Sequence, residues 1–178
     1  MSRLNVVAPS TASGPTKVLF NAIEGAIGAV PNIYLGLGNS PSALEGVLHT
    51  DGLLKKGQLG AGDIEAIKLA VSEAYGCTYC LAAHTLLGKK AGLSEADTVA
   101  IRRGTVQQPR LAALLTFVGN TLQPEARVSD ADLAAIRAAG FNDAQIAEIV
   151  QTIAQTVFTN LFNRVHQTAL DFPPAPAL

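Results

Sequence analysis

The sequence has few charged residues and no cluster of one sign. Charged side chains make up 15% of the 178 residues and apolar ones 48%, whereas an average soluble domain has about 25% charged residues. The 13 basic and 14 acidic residues give a net charge of −1, and no run of Lys or Arg forms a stripe that would bind phosphates. The composition therefore argues against a nucleic-acid partner and predicts that some apolar surface is buried between subunits.

Long apolar runs are absent as well. No stretch reaches the length of about 18 uncharged apolar residues that a bilayer-spanning helix needs. Residues 1–10 lack the uninterrupted apolar segment of a signal peptide. We therefore expect a cytoplasmic protein that does not associate with membranes.

Alternating strand patterns are the third absence, and helical periodicity takes their place. The fold is therefore predicted to be all-α, and a chain of this length is expected to form one domain. Residues 1–16, rich in Pro, Ser, Thr and Gly, predict an irregular arm, and residues 173–178 a Pro-rich tail. The single domain is expected over residues 17–172.

Cap residues predict where several helices begin. Helix starts are expected at Ser40, which Pro41 follows, and at three further positions where a Ser or Asn is followed by an acidic residue or Gln, namely Ser94, Ser129 and Asn142. A helix from Val18 to Ile27 should end before Pro31. Gly76 interrupts the helical pattern just before another predicted helix, which runs from about Cys77 to Lys90.

The chain has only two cysteines, Cys77 and Cys80, and both precede His84. At helical spacing the three side chains share one face, and Glu73 joins them if the helix is continuous. In a reducing compartment a Cys-x-x-Cys pair favours a redox couple or a metal site over a structural disulfide. Chemistry is therefore predicted here before any other part of the chain.

Two effects favour a thiolate in this segment, and they favour different cysteines. Cys77 lies at a predicted helix start, where an anion is stabilised, whereas Cys80 lies one turn before His84, which can accept its proton. A peroxide would convert such a thiolate into a sulfenic acid, which the second thiol condenses to a disulfide. Either Glu73 or Glu65 can orient the histidine, and Glu65 reaches it only if the chain bends at Gly76.

The segment from Glu65 to His84 resembles the core motif of the AhpD-like alkylhydroperoxidases, within the carboxymuconolactone decarboxylase superfamily. Three further segments resemble peroxidase-related members: Pro31-Asn-Ile-Tyr34, Asn39-Ser-Pro41 and Asn163-Arg-Val165. The resemblance implies an all-α AhpD-like fold, assembled as a dimer, trimer or hexamer. It also implies a hydroperoxide reductase whose activity rests on the cysteine pair. Because no phosphate-binding fingerprint follows a strand, we expect a mechanism without a cofactor.

The resemblance also implies a role for each residue. Cys80 attacks the peroxide, Cys77 resolves the sulfenic acid, and Glu65 works with His84 as a proton relay. A dithiol or a thioredoxin-like protein would be the reductant. Tyr79 stands where some members have a second histidine. Its hydroxyl could support the site by donating a hydrogen bond, but a tyrosine is a poor base at neutral pH because its reference pKa is about 10. The decarboxylase branch needs no cysteine pair, so the pair argues against lactone decarboxylation.

Two alternatives remain open at this stage. Cys77, Cys80 and His84 with one of the two glutamates would supply four zinc ligands, although structural zinc sites usually draw on two separated pairs. A redox sensor or thiol-disulfide chaperone would use the same disulfide without efficient turnover. The other two histidines, His49 and His166, are expected to be structural or surface residues.

Overall fold

A computed structural model describes residues 2–123 and 128–178, and within them the chain forms helices and irregular connections without a β-strand. The helices of these residues, in chain order, are α1 (Gly14–Ile27), α2 (Asn32–Leu37), α3 (Pro41–Leu54), α4 (Ala61–Ala74), α5 (Thr78–Lys90), α6 (Glu95–Arg103), α7 (Pro109–Leu122), α8 (Asp130–Ala138) and α9 (Asp143–His166). The all-α prediction is confirmed. None of these helices is both long enough and apolar enough to cross a membrane.

Helix α4 lies at the centre of the molecule and packs against α5, α6, α7 and α9. Its Ile67 and Val71 meet Leu114 of α7 and Ile149 of α9 in the main core, where all four side chains are fully buried. A second core forms around Phe20 and joins α1, α2 and α3. Close packing of this kind leaves little freedom for a helix to shift. The relative positions of α4, α5 and α9, which carry the candidate site, are therefore set by the core.

The predicted helix starts are confirmed by their caps. The side chains of Ser40, Ser94, Ser129 and Asn142 each accept a hydrogen bond from a backbone N–H three residues later. The last three also form capping boxes, in which the third helical side chain bonds back to the cap. Such a cap typically contributes about 0.5–2 kcal/mol.

The first forty residues differ from the prediction in detail. Helix α1 begins at Gly14, inside the predicted arm, and ends when Gly28 adopts a left-handed conformation with φ of 82°. Helix α2 was not predicted, because six residues are too few to show an apolar stripe. Met1 and residues 124–127, which belong to the predicted arm and domain, lie outside the described residues.

Residues 167–178 are irregular and pack back onto the helices, so the irregular segment starts earlier than the predicted tail at residues 173–178. The ring of Phe172 lies edge-on to that of Tyr79, with 5.5 Å between their centroids. Further along, the carbonyl oxygen of Pro176 accepts a hydrogen bond of 2.5 Å from Arg102 Nη1. The segment therefore covers part of the surface next to the two cysteines.

Candidate functional site

A tight turn between α4 and α5 positions the cysteines. The N–H of Cys77 donates to the carbonyl of Ser72 and the N–H of Gly76 to that of Glu73, each at 3.0 Å. This is the Schellman arrangement, in which glycine takes the left-handed position without steric cost, and Gly76 has φ of 62° there. Cys77 then becomes the N-cap of α5, so α4 and α5 are two separate helices.

Cys77 and Cys80 form a disulfide in the first turn of α5, with 5.3 Å between their Cα atoms. The sulfur of Cys77 also accepts a hydrogen bond of 3.2 Å from the N–H of Cys80. Both residues are buried, with exposed fractions of 3% and 2%. The predicted pairing of these two cysteines in a disulfide is confirmed, and the helix N-terminus favours negative charge on the sulfurs after reduction.

Glu65 of α4 and His84 of α5 form a hydrogen bond of 2.8 Å between Oε2 and Nδ1. A carboxylate can only accept, so Nδ1 carries the proton and Nε2 of the neutral ring remains free to accept another. His84 lies one turn after Cys80, and residues four apart on a helix lie on the same side. The packing of α4 against α5 thus brings Glu65 into contact with His84, one turn after Cys80 on α5.

The carboxyl group of Glu65 is kept ionised by its neighbours. Burial by itself raises the pKa of Glu65. The charge and the hydrogen bond of His84 lower it, as do the charges of Lys68 and Lys55, and the net shift is downward. Lys68 is itself buried, with Nζ 4.0 Å from the other oxygen of Glu65 and 3.1 Å from Asp51 Oδ1. Sequence reasoning missed Lys68, although its position one turn after Glu65 was a usable signal.

Glu73 lies elsewhere, in an ion pair with Arg102 of α6. The Nε of Arg102 donates to Glu73 Oε2 at 2.7 Å, and the guanidinium is almost fully buried. Because the turn at Gly76 ends α4, the continuous helix that would have placed Glu73 beside the cysteines does not form. Its carboxylate neutralises Arg102 instead of orienting His84.

Tyr79 is buried beside the disulfide, and its hydroxyl oxygen accepts a hydrogen bond of 3.3 Å from the N–H of Ile33. Burial raises the pKa of Tyr79, and the negative charge of Asp171 raises it further. The phenol therefore stays protonated at neutral pH and does not act as a base. Its ring packs against Ile33 and Phe172 and so separates the cysteines from solvent on that side.

A polar pocket of about 260 Å³ opens beside the disulfide. The turn before α5 and the end of α9 line it, and its lining includes Cys77, Tyr79, Asn163, Arg164 and Thr168. Cys77 is part of this lining, whereas Cys80 is not. Of the two cysteines, Cys77 is therefore the one next to this pocket.

The two remaining histidines lie in different environments. His49 is exposed, and His166 is fully buried against the ring of Phe162, where burial lowers the pKa of the imidazole. Both positions agree with structural or surface roles.

Over residues 2–123 and 128–178, no three His, Cys, Asp or Glu side chains gather as a group that could hold a metal ion. The zinc hypothesis thus finds no ligand set in that part of the chain.

The fold and the site define a class of protein: an all-α chain in which a Cys-x-x-Cys disulfide begins one helix and a Glu/His pair joins that helix to its neighbour. Residues 41–118 match the Carboxymuconolactone decarboxylase family. No curated protein matches the chain.

Solved structures share the fold over almost the whole chain. The alkylhydroperoxidase AhpD core protein from Ralstonia eutropha JMP134, a peroxidase-related protein, has a TM-score of 0.85 at 22% identity, covering 96% of this chain and 92% of its own. A peroxidase-related protein from Silicibacter sp. TM1040 has a TM-score of 0.75 at 24% identity, covering 97% and 90%. The debrominase Bmp8, in complex with 2,3,4-tribromopyrrole, has a TM-score of 0.78 at 17% identity, covering 96% and 94%. These likenesses show that the chain has the AhpD-like all-α fold.

Proposed function

We propose that the protein is a thiol-dependent hydroperoxide reductase in which Cys80 reduces the peroxide and Cys77 closes the disulfide. The observation that carries the proposal is the Glu65–His84 hydrogen bond of 2.8 Å, one turn beyond a disulfide at the start of a buried helix. The similarity to peroxidase-related proteins supports it. The fold alone does not select this chemistry, because the debrominase shares it.

The reaction uses the site in two steps. Nε2 of His84 takes the proton of the Cys80 thiol, and the thiolate attacks one peroxide oxygen. The O–O bond breaks, the alkoxide leaves with the proton from the imidazolium, and Cys80 becomes a sulfenic acid. The sulfur of Cys77 then attacks that of Cys80, the S–O bond breaks, water leaves and the disulfide forms. Glu65 stabilises the imidazolium during the first step.

A dithiol or a thioredoxin-like protein would return two electrons to the disulfide. Its thiolate reaches Cys77 through the polar pocket, because Cys77 and not Cys80 lines it. Attack on Cys77 releases Cys80 as a thiolate, ready for the next peroxide. The cycle requires no electron carrier beyond the cysteine pair and this reductant.

Peroxide consumption with a dithiol reductant tests the proposal. We expect Cys80→Ser and Cys77→Ser to abolish turnover, and His84→Gln or Glu65→Gln to slow it by about 10²–10⁴-fold, the usual effect of removing a general base. His49→Gln, at an exposed histidine, is the matched control and should be neutral. A sulfenic acid trapped on Cys77 in Cys80→Ser, with none on Cys80 in Cys77→Ser, would reverse the assignment of the nucleophile.

A redox sensor or thiol-disulfide chaperone is the second candidate, favoured by the burial of both cysteines. Such a protein would oxidise once per chain and show no sustained peroxide consumption when the dithiol is in excess. Because the debrominase shares the fold, 2,3,4-tribromopyrrole serves as an alternative electrophile in the same assay. Bromide release in the absence of peroxide turnover would replace the peroxidase proposal by dehalogenation.

A further inference from the structure

Cys80 has a polar neighbour that the mechanism above does not use. Asn163, near the end of α9, is buried, and its Nδ2 lies 3.2 Å from the Cys80 sulfur. The two residues are 83 positions apart in the chain, so the contact exists only because α9 packs beside α5. An amide donor that faces a reacting sulfur affects the energy of each state that the sulfur adopts.

A second contact fixes the orientation of this amide. The hydroxyl of Thr168 donates to Asn163 Oδ1 at 2.6 Å. With its oxygen held in this way, the amide must direct its NH₂ group to the sulfur. Gln167 makes the contact possible, because its left-handed conformation, with φ of 53°, ends α9 and turns Thr168 back towards Asn163.

The hydrogen bond gains strength when Cys80 is reduced and ionised. A sulfur in a disulfide is a weak acceptor, whereas hydrogen bonds to a charged acceptor are roughly twice as strong as neutral ones. Burial of Cys80 on its own opposes ionisation of the thiol. A donor that favours the charged form offsets that effect, so the amide discriminates between thiolate and disulfide.

We propose that Asn163 is a further catalytic residue, which stabilises the Cys80 thiolate, and that Thr168 is the residue that positions its amide. This inference rests on the proposed function, because it concerns the same sulfur. In reduction, a thiolate of the dithiol attacks the sulfur of Cys77, the S–S bond breaks, and its electron pair stays on Cys80 beside Asn163. The second thiol of the reductant then attacks the reductant sulfur that is bonded to Cys77. This step releases Cys77 and turns the reductant into a disulfide, oxidised by two electrons.

Thiol alkylation as a function of pH tests the inference without peroxide. All variants are made in a Cys77→Ser chain, so that Cys80 is the only thiol. We expect Asn163→Leu to move the alkylation midpoint upward by about one pH unit or more, because hydrogen bonds to charged groups contribute about 1.5–3 kcal/mol. Thr168→Val should move it in the same direction by less, and Thr168→Ser, which keeps the hydroxyl, should restore the original midpoint.

Two further measurements separate this role from a structural one. In the chain with both cysteines, Asn163→Leu should lower the fraction of reduced protein at a fixed ratio of reduced to oxidised dithiol, because the thiolate loses a stabilising contact. Thr159→Val is the control. Thr159 lies one turn before Asn163 on α9, and its hydroxyl donates to a backbone carbonyl, so its removal should leave the alkylation midpoint and the fraction of reduced protein unchanged.

An unchanged midpoint in folded Asn163→Leu would overturn the inference. If that variant does not fold, an unchanged midpoint in Thr168→Val would overturn it equally. Peroxide turnover is measured separately with both cysteines present. A shifted midpoint without peroxide turnover in the unaltered chain would leave this inference standing and refute the hydroperoxide reductase, whereas turnover without a shift would do the reverse.

Discussion

Lys68 is a buried cation between two carboxylates. Its ammonium group pairs with Asp51 Oδ1 at 3.1 Å and lies 4.0 Å from Glu65 Oε1. A buried lysine is rare unless it is paired, and here it adds to His84 in lowering the pKa of Glu65. The basic residues that keep Glu65 ionised thus lie on α5, on α4 and, with Lys55, at the C-terminal end of α3.

The first prediction follows from this arrangement. Lys68→Met should raise the pKa of Glu65, because it removes one of the positive charges that offset the effect of burial. The acid limb of the pH–rate profile for peroxide reduction, which reports protonation of the Glu65–His84 pair, should move to higher pH. Lys89→Met is the control, since Lys89 forms an exposed ion pair with Glu95, and an acid limb that does not move in Lys68→Met would contradict the prediction.

The second prediction concerns stability and pH. The pKa of Glu65 in the folded protein is lowered from its ordinary value of 4.5, so its interactions stabilise the fold above that value and are lost as the pH falls through the folded pKa. Glu65→Gln should therefore lower the free energy of unfolding at neutral pH. Its deficit relative to the unaltered chain should shrink as the pH is lowered.

Urea unfolding at neutral and acidic pH measures this difference. The exposed Glu24 offers a matched control, and Glu24→Gln should leave stability nearly unchanged at both pH values. If Glu65→Gln lowers the free energy of unfolding by the same amount at neutral and at acidic pH, the loss comes from packing and not from charge.

At the scale of elements, the α4–α5 turn is the feature on which the site depends. Gly76 ends α4 with φ of 62°, and Cys77 immediately caps α5. Because the turn separates the two helices, α5 packs alongside α4 and places His84 next to Glu65 instead of Glu73. One residue of the backbone therefore decides which carboxylate the histidine meets.

The third prediction tests the turn with two glycine substitutions. A Cβ at Gly76 would contact nothing within 4 Å, so Gly76→Ala should destabilise the fold only through its left-handed backbone, by roughly 1–2 kcal/mol. Gly46, exposed inside α3, also has open space around it, and Gly46→Ala should stabilise the fold by about 0.5–1 kcal/mol. Urea unfolding compares the two variants, and destabilisation by both would refute the backbone explanation.

At the scale of the whole molecule, apolar side chains remain on the surface of a chain with few charges. Phe158, Leu161 and Val165 share one face of α9 and are 42%, 45% and 58% exposed. Charged residues make up only 15% of the chain, and a contiguous apolar face is typical of an interface. We propose that copies of this chain assemble through this α9 face.

The fourth prediction is that the protein is an oligomer at micromolar concentration, measured by sedimentation or light scattering. Leu161→Glu should shift it to a smaller species, because the interface would bury an unpaired charge. Leu53→Glu changes another exposed leucine, 57% accessible on α3, and should keep the original size. A monomeric unaltered chain, or dissociation by Leu53→Glu alone, would contradict the proposed interface.

Local sequence signals were sufficient for much of the architecture. The caps at Ser94, Ser129 and Asn142 could be predicted because each hydrogen bond joins residues three apart. The cysteine pair and its histidine were found for the same reason, since all lie within two turns of one helix. The extent of α2 was missed because a helix of six residues has too few positions to show periodicity.

The contacts between distant residues had to come from tertiary structure. The choice of Glu65 over Glu73 depends on how α4 packs against α5, and the contact of Lys68 with Asp51 depends on how α4 packs against α3. The contact of Asn163 with Cys80 joins two helices that are far apart in the chain. Sequence periodicity shows which face of a helix is apolar, but it does not show which other helix that face meets. Hydrogen bonds within a turn are determined by the residues that form them, whereas those between helices follow from the packing of the whole core.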